Sequence, residues 1–209
     1  MSNYQKLSHY HKSDTLKLPL YRPLDDLVDE SMKHKRTVVS IVIVVFSITF
    51  IYLGMSYYQS RYQEKAADLL QRDPKAVLAQ YPRSDAAVLA GVKLGEAALK
   101  NSQWDDAIFY YKLLSEKKSI PAIVRVGASQ NLALAYLNKG EKEIALQTLL
   151  KIEADPENIQ QDYTKLLEAH VWEAKGDEAK AQTLYQQISE GAVSNEIKEE
   201  AKARLKEVK

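Results

Sequence analysis

Cysteine is absent from the 209 residues. Its absence removes disulfides, thiol chemistry and cysteine-ligated metals together, and it suits an oxidising compartment. Glycine is scarce, with seven residues standing singly. A phosphate-cradling loop needs clustered glycines for close backbone approach, so nucleotide binding lacks its usual means. The four histidines are His9, His11, His34 and His170, and none belongs to a HExxH-type motif. His9 and His11 lie two apart in a polar tail, a spacing that suits neither a helix face nor a rigid metal site. No GxSxG nucleophile motif occurs. Acidic pairs such as Asp105-Asp106 and Glu199-Glu200 are sequence neighbours and cannot face each other across a substrate. They read as a helix start and a solvated face. No enzyme, cofactor, metal site or small-molecule substrate is therefore expected. A surplus of one charge sign is missing as well. Residues 1–36 carry seven Lys/Arg and five Asp/Glu, and the rest carries 22 and 23. Neither part has the basic excess that nucleic-acid binding uses.

What the chain does have is Thr37–Ser60, twenty-four residues without a formal charge. A helix of that length reaches about 36 Å, enough to cross a hydrocarbon core of about 30 Å with some tilt. Tyr52, Tyr57 and Tyr58 cluster toward its second end, where amphipathic rings favour the lipid–water interface. The run exceeds a signal-peptide core and ends in LGMSYYQS, without an Ala-x-Ala cleavage site. The expectation is an uncleaved signal anchor. Lys33, Lys35 and Arg36 precede the span, while Arg61 and Lys65 follow more sparsely. Positive charge favours the cytoplasmic side, so the N-terminus stays inside and the later residues cross.

Residues 1–36 read as a flexible cytoplasmic tail interrupted by Pro19 and Pro23, with a short helix start at Asp25-Asp26. Residues 37–60 are the anchor and 61–83 linker helices: Gln59–Leu70 continues as helix, Asp73-Pro74 opens a new one, and Tyr81-Pro82 ends it. From 84 to 209 the pattern repeats. Helical segments alternate with short turns that align Ser102, Gly140 and Gly176 at separations of 38 and 36 residues. The same register stacks Ala107, Ala145 and Ala181, then Tyr111, Leu149 and Tyr185, then Leu114, Ile152 and Ile188. In the first helices Gly95, Ala133 and Ala169 are equivalent, followed three residues on by Ala98, Tyr136 and Trp172. A small residue followed by a bulky one lets paired helices approach closely and lock. The last segment, Asn195–Val208, puts Ile197, Ala201 and Leu205 on one face, as a cap for the stack would.

This pattern over Val88–Val193 resembles the tetratricopeptide repeat family, with Ser102 and Ala98 departing from it in the first repeat. The expected fold is all-α: a transmembrane helix, then an α-solenoid of about three helix pairs with a capping helix. The resemblance implies a concave groove lined by the first helix of each pair. Leu89, Val92, Glu96 and Leu99 would line it from the first pair. Gln130, Leu134, Leu137 and Asn138 would follow from the second, then Tyr163, Leu166, His170 and Glu173 from the third. Such a lining, mainly apolar and without clustered Lys/Arg, fits apolar or unfolded segments or a partner helix. Alternatively, residues 62–81 fold back and fill the groove.

The layout, with DDLVDE before a basic-flanked span, ALAYLNKGEKEIALQTLLKI and LLEAHVWEAKGDEAKAQTLYQ, resembles the YfgM-type family of ancillary SecYEG translocon subunits. That resemblance implies a bacterial inner-membrane protein whose periplasmic domain stands beside the translocon. It would pass emerging chains to periplasmic chaperones, together with a membrane-anchored isomerase-like partner. The alternative is a scaffold or assembly factor of another envelope complex, in division, secretion or motility.

Overall fold

The computed structural model describes residues 35–207. The tail reading for residues 1–34, including its helix start at Asp25-Asp26 and the His9/His11 pair, lies outside these residues, as does Val208. The described residues form nine α-helices and no strand. Their order is α1 Lys35–Arg72, α2 Pro74–Gln80, α3 Asp85–Lys100, α4 Trp104–Ser115 and α5 Ala122–Lys139. Then come α6 Lys142–Glu153, α7 Gln161–Lys175, α8 Glu178–Gly191 and α9 Asn195–Glu207. The chain divides into two compact units between Gln59 and Ser60.

In the first unit, Lys35 and Arg36 are already helical and continue without a break into the apolar run. Mean hydropathy over the best 18-residue window is 2.6, so α1 is long and apolar enough to cross a membrane. Three of its hydroxyls are satisfied within the helix. Ser40, Ser47 and Thr49 donate to the carbonyls of Arg36, Ile43 and Val45 at 2.9, 2.8 and 2.8 Å. In hydrocarbon, where no water would accept these bonds, such back-bonding removes the cost of carrying a hydroxyl.

The second unit begins with the last turns of α1 and with α2. Asp73 caps α2 by accepting from the Ala76 N–H at 3.0 Å, and Pro74 occupies the first turn, where it needs no donor. Ala66 and Val77 are buried against Ala86, Ala87 and Ala90 of α3, with Leu69, Leu70 and Leu78 packed around them. The Tyr62 hydroxyl and Gln63 Oε1 accept from the backbone N–H groups of Arg83 and Asp85. Residues assigned from sequence to a linker thus close the open end of the stack.

Pairs α3/α4, α5/α6 and α7/α8 follow, each joined by the same turn. Gly140 N–H donates to the Leu137 carbonyl and Glu141 N–H to that of Tyr136. Gly176 and Asp177 repeat this with Glu173 and Trp172, and Ser102 and Gln103 with Leu99 and Ala98. This double bond from the two residues after a helix requires a left-handed residue. Gly140 and Gly176 have φ of 90° and 84°, and Ser102, in the pair whose sequence departs furthest from the repeat, is held there too at 58°. The aligned side chains are the interior: Ala107, Ala145, Ala181, Tyr111, Leu149 and Tyr185 are all at most 1% exposed. Even the ion pairs recur. Lys139 reaches Asp105 at 2.8 Å, and Lys175, at the same register one pair later, reaches Glu143 at 2.5 Å. From α2 onward each helix packs on the next, and α5 on α7 and α7 on α9 form an inner layer of first helices. The last helix, α9, takes the place of a fourth first helix, its Ala201, Ile197 and Leu205 covering Tyr185, Ile188 and Ala192.

Candidate functional site

The inner layer sets where each groove residue stands. On α3, Leu89 is 55% exposed and Glu96 is exposed, whereas Val92 and Leu99 lean half-buried on the α3–α4–α5 core. On α5, Leu134 and Leu137 are half-buried, Leu137 against the Ala133–Leu149 cluster, and Asn138 is exposed. On α7, Tyr163 is exposed while His170 and Glu173 are half-buried. Gln130 and Leu166 are corrections: at 2% and 1% exposure they present nothing to a partner. They occupy the same register, 36 residues apart, and at that register a first helix faces into its neighbours rather than outward. A helical spacing argument gives the stripe but not its edge against the adjacent pair. The alternative of a filled groove is also corrected. Residues 62–81 pack on Ala86, Ala87 and Ala90 at the start of α3 and leave Leu89 largely in solvent.

Gln130 instead belongs to a buried polar knot. Its Nε2 donates to Thr164 Oγ1 at 3.0 Å, Asn158 Nδ2 donates to the same oxygen at 3.1 Å, and that hydroxyl donates to the Gln160 carbonyl. Asn158 Oδ1 accepts from the Gln160 N–H at 2.9 Å. Most buried polar groups in folded proteins are paired, and here the pairing ties the α6–α7 connection to α5 and α7, although Gln160 Oε1 is left without a partner.

That tie positions the most open apolar surface of the second unit. Between the starts of α7 and α9 lies a cleft of about 830 Å³ lined by Ile159, Tyr163, Val193 and Ile197. Ile159 is 76% and Val193 93% exposed, extents that core formation does not account for. Asp162, Glu196 and Glu200 also line it, and Asp162 accepts from the Val193 N–H at 2.7 Å, holding the α8–α9 connection to α7. Partial burial, together with the Glu200 carboxylate, pushes the Tyr163 phenol above its ordinary pKa. Of the sequence-predicted residues, only Tyr163 lines this cleft. Ile159 and Val193 were missed because they sit in connections, where no periodicity marks them.

His170 and Glu173 join a second polar group. The Tyr185 hydroxyl donates to Glu173 Oε2 at 2.7 Å, Arg204 of α9 lies 3.7 Å from Glu173 Oε1, and the His170 ring lies beside that of Tyr185. His170 Nε2 is 3.5 Å from Glu200 Oε1 and makes no hydrogen bond. Burial holds its pKa below the ordinary value, against the opposing pull of Glu200. These groups fasten α7, α8 and α9 to one another. Among the described residues, no three His, Asp or Glu side chains gather as metal ligands would. Compared with family models and with curated proteins, the chain matches none.

Proposed function

We propose that this protein is a membrane-anchored protein-interaction module that holds apolar segments of emerging polypeptides on its first-helix face. In this reading α1 is a single-pass signal anchor in a bacterial inner membrane, the N-terminus is cytoplasmic, and the repeat unit is periplasmic beside a SecYEG-type translocon. The observation that carries it is the α7/α9 cleft. Ile159, Tyr163 and Val193 stand in solvent there on a rigidly tied edge, and an apolar surface kept outside a well-packed core favours association. Chaperone-like transfer to periplasmic chaperones is the accompanying role. A scaffold for one folded partner in another envelope complex is the second reading. It is favoured by the limited reach of the exposed apolar surface, since Val92, Leu99 and Leu137 are largely spent on the core.

In-cell photocrosslinking from Ile159, Leu134 and Ile48 separates the readings. Varied secreted chains at Ile159, with translocon subunits at Ile48, support the first. One recurrent envelope protein at both sites supports the scaffold, and no adduct from Ile159 or Leu134 counts against both.

A further inference from the structure

A second concavity shares no lining residue with the α7/α9 cleft. It is a channel of about 530 Å³ floored by α5 and walled by α4 and α6. Arg125, Val126, Ser129, Leu132 and Tyr136 succeed one another along its floor at spacings of one, three, three and four residues. They therefore mark a continuous stripe along α5 of about 17 Å, three helical turns. Ile144, Thr148, Lys151 and Ile152 form the matching wall on α6. Ile144 remains 43% exposed at its rim.

Charge is segregated along the channel by the antiparallel order of the helices. Lys112 and Lys118 lie at the C-terminal end of α4 and just beyond it, Arg125 at the start of α5, and Lys151 near the end of α6. Turning the chain twice brings these four cations to one end and leaves Tyr136 and Ile144 at the other. Arg125 is engaged with Glu157 and Asp155. Lys112, Lys118 and Lys151 are lining residues without an ion-pair partner among the described residues, and they are exposed. Opposing them in the lining is Glu116, since Asp155 lies on the Arg125 side of the network. An apolar trough ending in unpaired lysines is complementary to a segment of the opposite polarity.

We infer that this channel docks a protein segment, apolar along one side and acidic at one end, lying lengthwise on α5 with its carboxylates among Lys112, Lys118 and Lys151. A helix of three turns matches the floor, and its apolar side chains would rest on Tyr136 and the exposed Ile144, Val126 and Leu132 being spent on the core beneath. This site is lined by other residues than the α7/α9 cleft and does not depend on what that cleft holds.

The test uses the full chain in nanodiscs of zwitterionic phosphatidylcholine, against a displayed library of random 12-residue peptides. Enriched peptides should place Asp or Glu toward one end of an apolar helical stripe. Their affinity should fall at least tenfold in Lys112→Glu/Lys118→Glu/Lys151→Glu and in raised salt, where exposed charge pairs are screened. Ile144→Glu, at the far rim, should weaken the same peptides while leaving every lysine in place. Circular dichroism establishes that each variant is folded. Failure to enrich acidic peptides, or enrichment that both variants retain, overturns the proposal. So does a wild-type chain whose lysines bind vesicles of anionic phosphatidylglycerol but no peptide, because the partner would then be a lipid surface.

Discussion

Gly95→Ala should weaken the fold, although alanine is the better helix former and stands at the equivalent positions, Ala133 and Ala169. A Cβ built on Gly95 would lie 2.8 Å from Tyr111 Cζ and 2.9 and 3.0 Å from its two Cε atoms, where ordinary contact begins at 3.4 Å. The ring cannot retreat freely: Tyr111 is 1% exposed, and its hydroxyl is buried without a hydrogen-bond partner. That burial, with Glu96 nearby, pushes the phenol pKa up to about 12. Glycine to alanine within a helix is worth about 1 kcal/mol. Forcing a methyl into a packed interior costs about 1–3 kcal/mol. The balance is a net loss of about 1 kcal/mol, the difference of those two terms. Urea unfolding of the full chain in mild detergent, followed by the fluorescence of Trp104 and Trp172, measures it. Combining Gly95→Ala with Tyr111→Leu recreates the Ala133/Leu149 pairing of the next repeat. The double variant should be more stable than the sum of the two single effects by about 1 kcal/mol, a coupling of the size contacting residues show. A stabilised Gly95→Ala, or strict additivity in the double variant, would refute the steric reasoning.

Ser102→Gly should stabilise the same unit by about 1 kcal/mol, since a left-handed residue with a Cβ carries a cost that glycine does not. A rise in urea midpoint without a change in slope would register it. Thr164→Val keeps the shape but removes the acceptor shared by Gln130 and Asn158, so about 2 kcal/mol should be lost by the same assay. Fast amide exchange in residues 154–160 should accompany that loss. His170, facing Glu173 on its own helix, Tyr185 on α8, and Glu200 and Arg204 on α9, has a lowered pKa. The unfolded chain then takes up the proton first, so stability should decline as pH falls below about 6.5 and level off once the folded-state pKa is passed. His170→Gln should flatten that part of the profile. An unchanged slope would mean the proton is accommodated elsewhere.

Much of the backbone was legible before any coordinates. Asp73-Pro74 opens α2, Gly140 and Gly176 end α5 and α7, and the Ala107/Ala145/Ala181 register lies in the interior, because caps, turns and small-residue contacts are local or periodic. The candidate surface was less legible. Leu89 and Tyr163 are exposed, but Gln130 and Leu166 are buried, and Ile159 and Val193 carry open apolar surface from connections. Periodicity gives the face of a helix; it does not say which neighbour covers each edge.

By itself, then, the sequence determined a charge-free run long enough to span a bilayer, and an all-helical repeat with its turns and interior stripe. These follow from composition and from spacings within a few residues. Only the tertiary structure decided that Ser102 is held left-handed like a glycine and that Gly95 meets the Tyr111 ring. It likewise decided that residues 62–81 close the end of the stack, and that Lys112, Lys118 and Lys151 gather at one end of a channel. The Ser102 turn closes on Leu99 and Ala98, a few residues back, without the glycine that would have marked it; the others depend on residues more distant along the chain, brought together by the packing of one helix on the next.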